Sequence, residues 1–178
     1  MSAESPLHHV SAKRPGKQDR FLTKGRHMFK TILVAVDGSA VSNLGLEEAI
    51  SLAAELGATL CVLHVIEEFV LAKELRLPDF VGGLLEALRD TGKKILAEAV
   101  NEAEQRDVIT RSILAEATRG PVADMIIQQA KQCCADMIVL GTHGRRGMSR
   151  LVMGSDAEGV VLQATVPVLL VRTRRSAA

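Results

Sequence analysis

The chain has 178 residues, of which 47% are hydrophobic and 24% are charged, and its formal net charge is +1. This balance is typical of a soluble globular protein with one domain, and it gives no overall positive field that would favour nucleic acid or an anionic membrane. Because Trp and Tyr are absent, we do not expect bases of single-stranded nucleic acid to stack on this protein. No apolar run reaches the roughly 18 residues of a membrane span, and a secretory h-region is missing at the N-terminus. We therefore expect a cytoplasmic protein without nucleic-acid or membrane partners.

The first 27 residues differ from the rest of the chain. They carry six Lys or Arg against two acids, a net charge of +4, which leaves −3 for the remainder. Their apolar residues show almost no periodicity, so we predict a disordered basic tail. An over-extended start of translation before Met28 is the alternative, and neither interpretation gives the tail a function. The predicted organisation is a tail over 1–27, one domain over 28–173 and a second tail over 174–178.

Strands and helices alternate from residue 30 onward. The continuous apolar run Lys30–Val36 predicts a strand covered on both faces, and Asp37-Gly38-Ser39 ends it with a turn. A helix is predicted from Ser42 to Leu56, with Gly57 as its stop signal. Thr59–Ile66 predicts the second strand.

Residues 67–84 contain Pro78 and Gly82-Gly83, and they predict a long connection of the kind that carries function or mobility. In chain order, the remaining predicted elements are a helix over Leu85–Arg106, a strand over Val108–Glu116, a helix over Val122–Cys133 with Pro121 in its first turn, a strand over Asp136–Leu140, a helix over Gly154–Thr165 and a strand over Val166–Val171.

Five strands that alternate with four helices imply an α/β fold, an open parallel sheet with helices on both faces. Ligands of such sheets bind beyond the carboxyl ends of the strands, at the point where the strand order reverses. The first and fourth strands end at Asp37 and Gly141. If these two strands are neighbours, both turns meet in one crevice.

A glycine-rich segment follows the fourth strand. Gly141 and Gly144 come directly after the apolar run, and Gly154-Ser155 opens the next helix. Because glycine has no Cβ, backbone N–H groups can approach a phosphate closely at such a loop. Ser155 can cap the helix and donate its hydroxyl to a phosphate, and the helix dipole adds attraction. The alternatives are plain turn glycines and a serine that only caps the helix, and the joint spacing favours the phosphate site.

With this loop in place, the chain resembles the universal stress protein family from Met28 to Arg172. The resemblance is carried by Ile32–Ser39, by Leu63-His64-Val65, by Asp136–Gly144, by the Gly-x2-Gly-x9-Gly-Ser spacing at Gly141, Gly144, Gly154 and Ser155, and by Pro167–Val171. Family members with this spacing are of the ATP-binding type. The resemblance implies an adenine nucleotide α-hydrolase-like fold, an open five-stranded parallel sheet of order 3-2-1-4-5. It also implies a homodimer formed through residues 166–171.

The resemblance further implies a nucleotide site. Ala35 and Val65 would line the adenine pocket, and Asp37 would lie near the ribose. The alternative for Asp37 is a turn residue that caps the next helix, and both roles can hold at once. Arg145 and Arg146 can reach phosphate oxygens. No catalytic residue and no protein metal ligand are predicted, since His143 has no evident paired carboxylate or nucleophile. The full predicted site comprises Ala35, Asp37, Val65, Gly141, Thr142, His143, Gly144, Arg145, Arg146, Gly147, Gly154, Ser155 and Asp156.

Asp156 departs from the apolar or small residue that relatives usually carry after the serine. A carboxylate there suits the helix dipole, but it would repel a triphosphate unless a divalent cation intervenes. We therefore predict either ATP binding assisted by Mg²⁺ through the phosphates or a weakened affinity.

Cys61, Cys133 and Cys134 show neither metal-ligand nor CxxC spacing. Reduced thiols that are buried or half-buried are the favoured interpretation, and a redox role is the alternative.

These observations predict an ATP-binding regulatory protein of the stress response. It would act as a homodimeric, nucleotide-dependent switch toward regulatory protein partners that the sequence does not identify. The alternatives are a slow ATP-hydrolysing enzyme and a nucleotide-free dimeric scaffold.

Overall fold

Five strands alternate with four helices in the computed structural model, which describes residues 29–67, 78–118, 120–142 and 153–172. In chain order the elements are β1 (Thr31–Ala35), α1 (Ala40–Leu56), β2 (Thr59–Ile66), α2 (Pro78–Glu104), β3 (Thr110–Glu116), α3 (Val122–Gln132), β4 (Met137–Gly141), α4 (Ser155–Gln163) and β5 (Val168–Val171). No helix within these described ranges is both long and apolar enough to cross a membrane.

The strands form one sheet in the order β3-β2-β1-β4-β5, and every neighbouring pair is parallel. The predicted order 3-2-1-4-5 is therefore confirmed. In the register between β1 and β4, Ile32 lies opposite Met137 and Val34 lies opposite Val139. The strand order reverses between β1 and β4, so the crevice expected in such sheets lies at the carboxyl ends of these two strands.

The core has two layers because successive side chains of a strand point to opposite faces of the sheet. Ile32 and Val34 of β1 belong to the layer covered by α1 and α2, which we call the α1–α2 face. Leu33 points the other way, into the layer covered by α3 and α4, which we call the α3–α4 face. All three of these β1 side chains are fully buried, as predicted for a strand covered on both sides.

The largest difference from the sequence prediction concerns the connection after β2. Residues 78–84 belong to α2, so the predicted loop over 67–84 is wrong in its second half, and residues 68–77 lie outside the described part of the chain. Pro78 is the first residue of the helix, where its missing N–H has no intrahelical partner to lose. The helix then continues through Gly82-Gly83, so the two glycines do not act as breakers here.

Smaller differences occur at other helix and strand ends. Helix α1 begins at Ala40 and not at Ser42, because Ser39 supplies its N-cap. Pro121 is the N-cap of α3 and precedes the first turn in which it was predicted. The other corrected bounds are Glu104 for the end of α2, Thr110 for the start of β3, Gln132 for the end of α3, Met137–Gly141 for β4, Ser155–Gln163 for α4 and Val168 for the start of β5.

Helices α3 and α4 pack closely through a glycine. A Cβ built on Gly159 would lie 2.7 Å from the Cβ of Ala123, whereas a Cβ on Gly83 of α2 would meet no atom within 4 Å. Both glycines lie in helices and therefore share the same conformational preference. The difference between the two positions is one of packing.

We predict that Gly159→Ala lowers the free energy of unfolding by about 1 kcal/mol or more. Overpacking costs about 1–3 kcal/mol and exceeds the gain of about 0.5–1 kcal/mol that alanine brings to a helix. The matched substitution Gly83→Ala should raise the free energy of unfolding by about 0.5–1 kcal/mol, because it brings the same gain without a clash. Urea denaturation of both variants measures these changes, and a change of equal sign in both would contradict the packing argument.

Candidate functional site

The turn after β1 is held by its own side chains. Gly38 has a φ of 78°, a left-handed conformation that favours glycine. The Asp37 Oδ1 atom accepts a hydrogen bond from the Ser39 amide at 2.9 Å, and the Ser39 Oγ atom accepts one from the Ser42 amide at 3.2 Å. Ser39 is thus the N-cap of α1. The predicted alternative in which Asp37 caps this helix is wrong, because Asp37 instead closes the turn that precedes the cap.

Two buried polar side chains also bond to this turn. The Ser42 hydroxyl donates to the Ser39 carbonyl oxygen at 3.0 Å and accepts from the Asp37 amide at 3.3 Å. The Nδ1 atom of His64 donates to the Val36 carbonyl oxygen at 2.7 Å. Sequence reasoning missed both roles, although a histidine within an otherwise apolar strand is a visible signal.

The end of β4 lies directly against α1. A Cβ on Gly141 would come within 3.1 Å of the Val41 carbonyl carbon and the Ser42 amide nitrogen, and a Cβ on Gly45 would lie 3.4 Å from the Gly141 amide nitrogen. Gly141, predicted as a phosphate-loop glycine, therefore has a packing role as well. This contact brings the start of α1 against the end of β4.

The two ends of the glycine-rich segment meet. The Gly154 amide donates to the Thr142 carbonyl oxygen at 2.9 Å, and the Thr142 amide donates to the Val171 carbonyl oxygen at 2.8 Å. Gly154 is thereby fixed beside the carboxyl end of β4. The predicted site residues His143, Gly144, Arg145, Arg146 and Gly147 fall within residues 143–152, which lie outside the described residues.

Helix α4 starts at this meeting point. Gly154 is its N-cap, with extended φ and ψ of −63° and 147°, and Ser155 is its first residue. The predicted capping role of Ser155 is wrong, because the extended backbone that a cap requires belongs to Gly154. Ser155 is exposed, so its hydroxyl lies at the open first turn. Asp156 and Glu158 make that turn acidic, which suits the helix dipole.

Ala35 and Val65 mark an opening in the α3–α4 face. Both are partly exposed and pack at the margin of that layer, whereas Leu33 and Leu63, two residues earlier in each strand, are fully buried. The sheet therefore presents an apolar surface at the carboxyl ends of β1 and β2. Ala35, Val65 and the start of α4 belong to the same side of the sheet.

An ion pair lies at the end of β3. Arg89 of α2 donates from Nε to Oε1 of Glu116 at 2.6 Å and from Nη2 to Oε2 at 2.9 Å. The hydrogen bonds from Arg89 hold the pKa of the Glu116 carboxyl below its ordinary value. This bidentate geometry fixes α2 to the carboxyl end of β3.

The cysteines differ in exposure, and all three are free. Burial, with a smaller contribution from the neighbouring Cys133, raises the pKa of the Cys61 thiol to about 12, so Cys61 stays protonated and is not a nucleophile near neutral pH. Cys133 is half-buried, as expected, but Cys134 is exposed, which corrects the prediction for that residue. Across the described ranges, no three His, Cys, Asp or Glu side chains form a group that could hold a metal ion.

An open parallel sheet of order 3-2-1-4-5, with a helix N-terminus set against the end of β4, defines an α/β protein of the adenine nucleotide α-hydrolase-like class. The Universal stress protein family profile matches residues 28–172, and the chain belongs to that family.

Individual relatives agree with this assignment. A universal stress protein of Bacillus subtilis is 34% identical over 151 residues, which cover 82% of this chain and all of the relative. A solved family structure from Burkholderia pseudomallei is 31% identical, with a TM-score of 0.65, and the match covers 80% of this chain and 96% of that one. A universal stress protein from Archaeoglobus fulgidus, solved in complex with dAMP, is 26% identical, with a TM-score of 0.58 and coverage of 81% and 98%.

We predict that Glu116→Gln lowers the free energy of unfolding at pH 7 by about 0.2–1 kcal/mol, the usual range for a partly exposed ion pair. The folded-state pKa of Glu116 is lowered, so its stabilising contribution is present above the ordinary glutamate pKa of about 4.3 and is lost as the pH falls through the lower folded-state value. The difference between wild type and variant should therefore shrink in acid.

Denaturation curves from pH 7 downward measure this difference. Glu86→Gln, a matched change at an exposed position of α2, is the control and should show a smaller change at pH 7. A difference for Glu116→Gln that stays constant or grows in acid would contradict the assigned role of the pair.

Proposed function

We propose that this protein binds an adenine nucleotide, ATP with Mg²⁺ held through the phosphates, and acts as a homodimeric nucleotide-dependent regulator in stress responses. The observation that carries this proposal is the hydrogen bond from the Gly154 amide to the Thr142 carbonyl oxygen. It joins both ends of the glycine-rich segment at the carboxyl end of β4, next to β1. The two ends of the predicted phosphate motif lie at the edge of the sheet where ligands of such folds bind, which supports the proposal.

The first turn of α4 is the proposed phosphate site. The N–H groups of its first three residues have no acceptor within the helix, and the positive end of the helix dipole adds attraction for an anion. The exposed Ser155 hydroxyl is a further donor at this turn. Arg145 and Arg146 remain phosphate contacts that are predicted from the sequence alone.

The adenosine part is proposed to occupy the carboxyl ends of β1 and β2. The partly exposed Ala35 and Val65 offer an apolar surface for the base, and Asp37 offers a carboxylate for ribose hydroxyls. The dAMP complex of the Archaeoglobus fulgidus relative supports an adenine nucleotide as the ligand class.

We assign the site a binding role and no catalytic role. The polar side chains described at this edge bond to the local backbone: Asp37 closes the turn, Ser39 caps α1, and Ser42 bonds to both ends of the turn. Ligand binding at such a preorganised edge is suited to a regulator whose surface changes with nucleotide.

For ATP binding, we predict that wild-type protein binds more tightly with Mg²⁺ than in chelator, as measured by isothermal titration calorimetry. Asp156→Asn should improve binding in chelator by about two- to fivefold, since a nearby unit charge in water contributes on the order of 1 kcal/mol. The variant should therefore reduce the dependence on Mg²⁺. Asp90→Asn, the same substitution on the exposed surface of α2, is the control and should leave both affinities unchanged.

Different results contradict different parts of the proposal. Equal affinity with and without Mg²⁺ would remove the metal from the proposal, and an absence of ATP binding at millimolar concentration would overturn the nucleotide site. Hydrolysis over many turnovers would favour the enzyme alternative over a regulator.

The proposed dimer forms through β5, the last strand of the described sheet. The Pro167 carbonyl oxygen accepts a hydrogen bond from Ile138 of β4, and the Val171 carbonyl oxygen accepts one from Thr142 just after β4. The backbone groups of the alternating residues Val168 and Leu170 therefore point to the open edge. All four residues of β5 are apolar and partly exposed. An apolar open edge of this kind requires cover, and β5 of a second copy supplies it.

We predict that Leu170→Pro converts the wild-type dimer to a monomer, as measured by multi-angle light scattering. Proline removes an N–H that points to the open edge and leaves the hydrogen bonds to β4 in place. Leu170→Ala removes most of the same side chain but keeps the N–H, so this control should stay dimeric. A monomeric wild type, or a dimeric Leu170→Pro variant, would contradict pairing through β5.

A further inference from the structure

Two polar residues are buried within the described part of the chain, Ser42 and His64. Both bond to the short segment that follows β1. Ser42 holds the Asp37 amide and the Ser39 carbonyl group, and His64 holds the Val36 carbonyl group. A buried polar group costs free energy unless it is hydrogen-bonded. Both side chains meet this requirement by bonding to residues 36–39, and they thereby restrain this segment.

His64 acts at the point where strand pairing ends. The last pair of the register between β1 and β2 joins Ala35 to Leu63, and the Val36 amide donates to the Leu63 carbonyl oxygen at 2.8 Å. The Val36 carbonyl group lies just beyond this ladder and receives the His64 Nδ1 hydrogen at 2.7 Å. Through this hydrogen bond the imidazole of β2 fixes one further peptide group of the chain, the one that joins Val36 to Asp37.

Helix α2 fixes the imidazole from the other side. A Cβ on Gly92 would lie 2.7 Å from Cδ2 and 3.3 Å from Nε2 of His64, and 2.7 Å from Cδ1 of Leu114. A glycine inside a helix costs conformational entropy that alanine would not. The glycine leaves room for the imidazole ring, which packs between α2 and the end of β1.

We propose that His64 is a positioning residue of the nucleotide site: it fixes the Val36 carbonyl group and thereby the orientation of the Asp37 carboxylate toward the ribose. This inference rests on the proposed adenine-nucleotide site. Strand alternation places His64 on the α1–α2 face, opposite Ala35 and Val65, so it acts on the ligand only through the turn. Helix α2 is coupled to the site by the same contact.

The test compares three variants by nucleotide calorimetry and by amide hydrogen exchange without ligand. His64→Leu removes the donor and should raise the Kd for Mg-ATP about tenfold, because small displacements of a positioned group have effects of at least this size. It should also speed exchange of the Asp37 and Ser39 amides. His64→Asn places an amide N–H near the position of Nδ1 and should restore most of both properties. Gly92→Ala keeps the imidazole but crowds it, and it should weaken binding from a position on α2.

Val62→Ala is the control for lost stability. Val62 is fully buried in the same strand and on the same face as His64, but it does not bond to the turn. The Val62→Ala variant should unfold at a lower urea concentration, while its Kd for Mg-ATP and the exchange of its turn amides stay at wild-type values. An affinity loss in Val62→Ala equal to that in His64→Leu would show a purely structural role and overturn the proposal.

The two measurements separate this inference from the proposed function. If wild type binds no nucleotide, the site proposal fails, and exchange of the turn amides still decides whether His64 fixes the turn. If His64→Leu does not fold, wild type, His64→Asn and Gly92→Ala provide the comparison. Wild-type affinity and exchange in Gly92→Ala, together with failed rescue by His64→Asn, would overturn the positioning role.

Discussion

The close approach of α1 to the end of β4 is the constraint on which the candidate site of this protein depends. Gly45 and Gly141 face each other across this contact, and a Cβ on Gly141 would meet α1 backbone at 3.1 Å. Because neither glycine carries a side chain, the N-terminus of α1 lies against the end of β4. The turn before α1 and the segment after β4 therefore lie at the same edge of the sheet.

The two faces of the sheet contribute different properties to this edge. The α3–α4 face opens at Ala35 and Val65, where the strands lose their cover, and it supplies apolar surface together with the start of α4. The α1–α2 face stays closed there and supplies polar support, through the buried Ser42 and His64. If the proposed site is correct, a turn held by these hydrogen bonds is preorganised, which lowers the entropy that ligand binding must overcome.

Much of the fold was predictable because its signals are local. The run around Ile32–Val36 is apolar without alternation, which only a strand covered on both faces tolerates, and β2 was predicted with its observed bounds of Thr59 and Ile66. The helix over 78–84 was missed because Pro78 and Gly82-Gly83 are turn signals when read alone. A proline in the first helical position and glycines within a long helix are permitted, and context beyond the local sequence decided between the two readings.

The positions of several predicted site residues followed from the sequence, but their structural roles followed less well. Gly154 and Ser155 were both expected at the helix start, but the cap proved to be Gly154, since a difference of one residue depends on backbone angles that composition does not reveal. Asp37 was expected in the turn and lies there. The role of His64 was missed, because its partner, the Val36 carbonyl group, is 28 residues away in sequence.

By itself, the sequence determined the alternation of strands and helices, the buried strands and, through its motif spacing, membership of the universal stress protein family. These features follow from hydrophobic periodicity and from residue types at fixed intervals, which are properties of neighbours along the chain. Only the tertiary structure decided that Thr142 bonds to Gly154, that Gly141 faces α1, and that His64 holds the end of β1. Such contacts join residues that are not neighbours along the chain, and they depend on the strand order of the folded sheet.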